Sequence, residues 1–246
     1  MAHDSRVVRT ASLGAATVLT VAAVFALSKP TPPPRAAPST SPAGSSGSAT
    51  SPVGAATARV RTTGPGLTVP GINVVARVDN DGTLDVQEKV LLDSPVLTIR
   101  LAAAAPPLAS TEALKPVVTE LQAQSAQGPV TMPQTLTQVA QSISFGAPVT
   151  SFTMRYKESG GQERSNPAPV GRALLVLGPI AAPDLASTPV VVQVIGDHVL
   201  NLTCPDLPQT KQVCGVAEAT GRTAGPMQAY RATMIVQVNL PGPGGS

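Results

Sequence analysis

Cys204 and Cys214, a single histidine beyond the N-terminal head, and a run of carboxylates near residue 81 are the groups whose types and spacing could support chemistry. The two cysteines bracket Cys-Pro-Asp-Leu-Pro-Gln-Thr-Lys-Gln-Val-Cys. A shared metal site would want Cys-x-x-Cys spacing or a nearby histidine, and neither is present, so a Cys204–Cys214 disulfide is expected. Closing a loop of that length adds about 3 kcal/mol in the chain-entropy view. The run Asp79-Asn80-Asp81-Gly82-Thr83-Leu84-Asp85, with Glu88 beyond it, superficially matches a calcium loop. The first ligand position, however, is the cation Arg77, and the flanks alternate as strands where helices would be needed. A hairpin turn is the better reading.

His198 must carry any histidine-dependent mechanism of the exported part. Pairing residues 190–195 with residues 199–204 leaves Gly196-Asp197-His198 as the loop, which puts His198 at an exposed tip, a structural position. The chain has no Gly-x-Ser-x-Gly, no His-Glu-x-x-His and no phosphate loop. No residue is therefore assigned a catalytic, cofactor-binding or metal-binding role, and no cofactor is expected. A Ser–Lys dyad has no local signature and stays open. Phe145, Phe152, Tyr156 and Tyr230 are the only aromatics after residue 70, and at least two fall on an apolar strand face. Core packing suits them better than a sugar-binding platform.

The elements that position these residues read as β structure. From Gly71 onward, short Val/Ile/Leu/Thr runs are separated by Gly, Pro, Asn and Asp. Residues 152–156 and 232–238 alternate apolar and polar. Pro95, Pro148, Pro169 and Pro189 each precede a candidate strand, where a missing N–H costs least. Parity fixes the first hairpin. A three-residue loop, Asn80-Asp81-Gly82, pairs Val78 with Leu84, Ala76 with Val86 and Ile72 with Val90, and it gives Gly82 the left-handed position. Its one misfit is Glu88, opposite Val74 on the apolar face, which belongs either at the rim of the sheet, the favoured place, or partly buried with a raised pKa. Leu114/Val117/Val118/Leu121 and Leu136/Val139/Ala140/Ile143 fit helical spacing. The expected fold is mainly β: an antiparallel β-sandwich, immunoglobulin-like or similar, with at most two short helices.

The 246 residues, 42% hydrophobic and 13% charged, suffice for one domain with tails. Residues 11–27 are free of charge behind Arg6 and Arg9, so residues 1–28 read as a signal anchor or a signal peptide. Residues 29–70 hold nine Pro among Ser, Thr, Ala and Gly and read as a disordered stalk. Residues 71–240 form the expected extracytoplasmic domain, and residues 241–246 a flexible tail. Residues 1–70 carry six basic groups and one acid, whereas residues 71–246 carry eleven basic and thirteen acidic groups. The basic pI of 9.1 thus comes from the tail, which speaks against a nucleic-acid partner.

Residues 75–90, with Asp81-Gly82-Thr83-Leu84-Asp85-Val86-Gln87-Glu88, resemble the opening hairpin of exported domains in predicted membrane proteins of high-GC, actinobacterial-type bacteria, whose function is unknown. The resemblance implies a β-sandwich outside the membrane and implies no activity. Such proteins have a second membrane segment near the C-terminus, which this sequence lacks. The expectation is a single-pass membrane protein with its domain outside, or alternatively a secreted one, acting without catalysis on an envelope protein or cell-wall partner. An envelope hydrolase using a Ser–Lys or carboxylate pair is the alternative. An accessory or sensor subunit of a membrane complex is a third. Ligand and oligomeric state are not legible.

Overall fold

The structure is a computed structural model that describes residues 60–107, 114–164, 170–181 and 183–241. The expected membrane segment, the stalk before residue 60 and the tail from residue 242 lie outside the described residues, as does Pro169. The first strands are β1 (Gly71–Val78), β2 (Leu84–Leu101), β3 (Val117–Ser125), β4 (Gly128–Val130) and β5 (Thr135–Leu136). They are followed by β6 (Gln141–Ser159), β7 (Gln162–Arg164), β8 (Val170–Leu177) and β9 (Pro189–Ile195). The last are β10 (Val199–Thr203), β11 (Val216–Glu218), β12 (Gly221–Gln228) and β13 (Met234–Pro241). Two 3-10 turns, Gln209–Lys211 and Ala229–Arg231, are the helical elements among the described residues.

The strands form two sheets. The larger runs β11-β12-β9-β1-β2-β6-β3-β4, with β5 also on β3, and the smaller runs β10-β13-β8-β7. Alternate residues of each strand face a shared core: Ile72, Val86, Met154 and Val192 from the large sheet, Leu175, Leu177, Val236 and Val238 from the small one. With so few aromatics, Val, Ile, Leu and Ala fill that space. The fold is mainly β, as expected. One neighbour pair departs from the antiparallel expectation: β1 runs parallel to β9, with Ile72 opposite Val190 and Arg77 opposite Ile195.

The β1–β2 hairpin has the register that parity predicts, Val78 to Leu84, Ala76 to Val86 and Ile72 to Val90. Asp79 and Thr83 close its loop through Asp79 N–H to the Thr83 carbonyl, and Gly82 takes φ +90°. The two stretches of helical spacing are not helices. Residues 117–121 lie in β3 and Ile143 lies in β6, because non-local pairing overrides a weak local period. Pro95 and Pro148 do not precede strands either. They lie inside β2 and β6, where the register between the two shifts at Val96 and Val149, so neither proline interrupts a regular ladder.

Residues 60–70, which composition places in the stalk, lie against the outer face of the large sheet. Arg61 N–H donates to Gln193 Oε1 at 3.4 Å, and Pro65 bridges Val69. At Gly66 the chain comes so close that a Cβ would sit 2.3 Å from the Asn73 nitrogen and 2.5 Å from the Lys89 oxygen. Only glycine fits there, and its φ of +72° suits glycine as well. This strap lies over the β1–β2 ladder.

Candidate functional site

Cys204 and Cys214 are disulfide-bonded, as their spacing predicts. The acidic run near Asp81 is a hairpin turn in which Asp81 Oδ1 accepts from Thr83 N–H at 2.8 Å, a bond that holds the Asp81 carboxyl below its ordinary range. His198 is exposed in a turn, but the expected β9–β10 hairpin does not form. The chain changes sheets at Gly196, β9 pairing β1 and β12 while β10 pairs β13. Phe145, Phe152 and Tyr156 are buried, and Tyr230 is half exposed beneath the Arg231 guanidinium.

Glu88 is not at the rim. It is fully buried, on the inner face of β2, and its carboxylate receives two successive backbone N–H groups, Ile180 at 2.9 Å and Ala181 at 3.3 Å. The Tyr156 hydroxyl donates to it at 3.3 Å. The β8–β9 connection enters the core here without strand partners, and Glu88 supplies the acceptor its backbone needs. Burial raises the Glu88 carboxyl to about 7, against the pull of these three donors. Glu158, also on the inner face, is 2% exposed, and neither carboxylate oxygen has a hydrogen-bond partner. Burial first, then the charge of Glu88, raises it to about 8. Tyr156 lies between them in the alternation and is pushed well above its ordinary value by burial and by the neighbouring carboxylates.

The opposite face of the same strands is open to solvent. Alternation sends Gln87 and Lys89 of β2, and Thr153 and Arg155 of β6, away from the core. On β3 a register shift between Thr119 and Gln122 inserts one extra residue, at Glu120, whose φ is +53°. Before this bulge Val118 faces inward. After it Leu121 and Ala123 face inward, which turns Gln122 and Gln124 outward. Two rungs of polar side chains result: Gln122–Arg155–Gln87 and Gln124–Thr153–Lys89.

These rungs floor a cleft of about 1020 Å³. Gly66 and Leu67 of the strap form one wall, and Pro129, Val130 and Met132 the other. Among the described residues, its two charged lining side chains are Lys89 and Arg155, and no carboxylate lines it. With the Gln87 amide oxygen turned toward it, Arg155 donates from Nε and Nη2 at 3.2 and 3.3 Å, which fixes the guanidinium plane. One rung further, Lys157 is matched by Glu120 at 3.0 Å. The cleft can therefore accept negative charge and hydrogen-bonding groups. Sequence reasoning did not single out these residues. The outward parity of Lys89, Thr153 and Arg155 was in the sequence, but the β2–β6–β3 adjacency that gathers them was not.

No family model and no curated protein matches the chain. Among solved structures it is similar to an M1 zinc metallopeptidase from Deinococcus radiodurans, a mutant bound to a Tyr-Ser-Ala substrate, at 18% identity and a TM-score of 0.36. The match covers 68% of this chain and 41% of the peptidase. Among the described residues, no group of three or more His, Cys, Asp or Glu side chains could hold a metal ion.

Proposed function

We propose that this chain is a non-catalytic binding module of a bacterial cell envelope, held outside the membrane by its N-terminal segment and acting through a ligand or partner seated in the cleft of the large sheet. The observation that carries this reading is the cleft itself, where Lys89 and Arg155 face solvent with no acidic neighbour among the described lining residues. The disulfide supports an oxidising, extracytoplasmic compartment. The hydrolase reading finds its carboxylate pair in Glu88 and Glu158, but both lie on the core side of the strands, away from any substrate in the cleft. A Ser–Lys dyad within the cleft would have to join Lys89 to Ser125 or Ser151, and Ser125 Oγ instead donates to the Gly128 carbonyl at 3.3 Å.

The test is native extraction in mild detergent followed by mass spectrometry of whatever co-purifies. The wild-type chain is compared with a chain carrying Lys89→Gln and Arg155→Gln. A component retained by the first and lost by the second supports the reading. Identical companions for both, or none for either, would sink it.

A further inference from the structure

Resting on that reading, we propose that the cleft takes a short acidic oligosaccharide. Lys89 and Arg155 would receive its carboxylates, while Gln122, Gln124 and Thr153 would bond its hydroxyls. Two alternatives meet physical obstacles. An extended peptide joins a sheet through main-chain hydrogen bonds at an open edge. Here the floor is the face of β2, β6 and β3, whose backbone groups are bonded within the ladders on both sides of β6. The floor itself offers side-chain amides, hydroxyls and cations, and the walls add the apolar Leu67, Val130 and Met132. Single-stranded nucleic acid would need aromatic surfaces for its bases. The one aromatic side chain at the cleft, Phe152, faces the core and is 4% exposed.

The chemistry on offer suits a ligand with many hydroxyls and a few carboxylates. Gln122 and Gln124 each present both donors and an acceptor, and Thr153 presents a hydroxyl, so hydroxyls can be met as donor or acceptor. Arg155 is positioned by Gln87 and keeps N–H groups free for a carboxylate. Three strands span about 10 Å across the floor, and residues 151–155 about 13 Å along it. That area fits a short stretch of a glycan and leaves the chain free to continue at the open ends. The Glu120 bulge supports this reading independently. A non-glycine residue is held at positive φ where its extra length turns two glutamines to the cleft, and such local strain marks sites where a side chain must be aimed.

The experiment is calorimetric titration of the full chain with trigalacturonate, with a neutral galactose trisaccharide and with a tri-glutamate peptide. Trigalacturonate should bind, and the neutral sugar about tenfold or more weaker, because charge-assisted hydrogen bonds are lost. Arg155→Gln should weaken trigalacturonate by a similar factor and narrow its preference over the neutral sugar, and Lys89→Gln added to it should erase that preference. Arg155 is exposed, so its variant should keep the wild-type melting temperature. Equal affinity for acidic and neutral sugars, or insensitivity to Arg155→Gln, overturns the assignment. A peptide bound as tightly as the uronate, with the same sensitivity, overturns the ligand class and leaves the binding-module reading standing. If none of the three binds while the native extraction still yields a component dependent on Lys89 and Arg155, the glycan is overturned alone. If that also fails, both are.

Discussion

Two buried glutamates on adjacent strands have opposite roles. Glu88 accepts from Ile180 N–H, Ala181 N–H and the Tyr156 hydroxyl, so it organises the connection that crosses the core. Replacing it by Leu should cost about 2–5 kcal/mol, since both amides lose their acceptor. Chemical denaturation would read this as a lower midpoint at unchanged slope. Glu158 has no such partners and contributes a liability instead. Below its ordinary pKa of 4.5 it is protonated in both folded and unfolded chains and has no effect on the pH dependence. Between that value and about 8 the unfolded chain releases the proton while the folded chain keeps it, so stability falls as pH rises. Glu88, raised to about 7, acts with the same sign over a narrower window. Glu158→Gln should therefore melt higher than wild type at pH 8.5, by at least about 3 °C, and nearly level with it at pH 4. Thermal melts across that range check it; a gap independent of pH would exclude the mechanism. The sequence showed that Glu88 was out of place on an apolar face. It did not show what met it there, because Ile180 and Ala181 are some ninety residues away.

The hairpin was fully legible at the scale of single elements. Its turn chemistry and its alternation agree, and a one-residue slip would have mixed the faces. The stretches that mimic a helix were not legible. In β3 the extra residue at Glu120 changes the inward set from Val118 to Leu121 and Ala123, so the apolar spacing of three imitates a helical turn. A bulge cannot be distinguished from a helix by period alone. Deleting Glu120 should restore strict alternation with Val118, Leu121 and Ala123 still inward and Gln122 and Gln124 still outward, so the shortened strand should unfold cooperatively within about 1 kcal/mol of wild type, read by denaturation. Glu120→Gly keeps the residue count and relieves the positive φ, so it should fold at wild-type stability or better despite losing the ion pair with Lys157. A loss of about 3 kcal/mol or more on deletion would mean that the extra residue does more than set the register of β3.

On the scale of the molecule, what was legible was the class: mainly β, with a disulfide. Strand order was not, because β1 meets β9 and β2 meets β6 across long separations that no local pattern records. The strap was missed for a related reason. Composition put residues 60–70 with the stalk, and Gly66 marks the close approach, as does Gly71 against Pro65. Gly66→Ala should lift the strap from the β1–β2 ladder. Trypsin cleavage after Arg61 should then be about tenfold faster or more than in wild type, with the melting of the two sheets little changed. Equal cleavage rates would mean that the strap is not held at this glycine.

The parallel pairing of β1 with β9 also has a consequence in time. Strand β1 is central in the finished sheet, yet the partner on one of its sides is more than a hundred residues later in the chain. While the polypeptide is being delivered from its N-terminus, the β1–β2 hairpin must wait with the Ile72-to-Arg77 edge open, the sort of edge that recruits other chains. Folding of this protein should therefore be limited by the arrival of its second half, and a chain stopped short of residue 189 would be left with its sheet open at the middle.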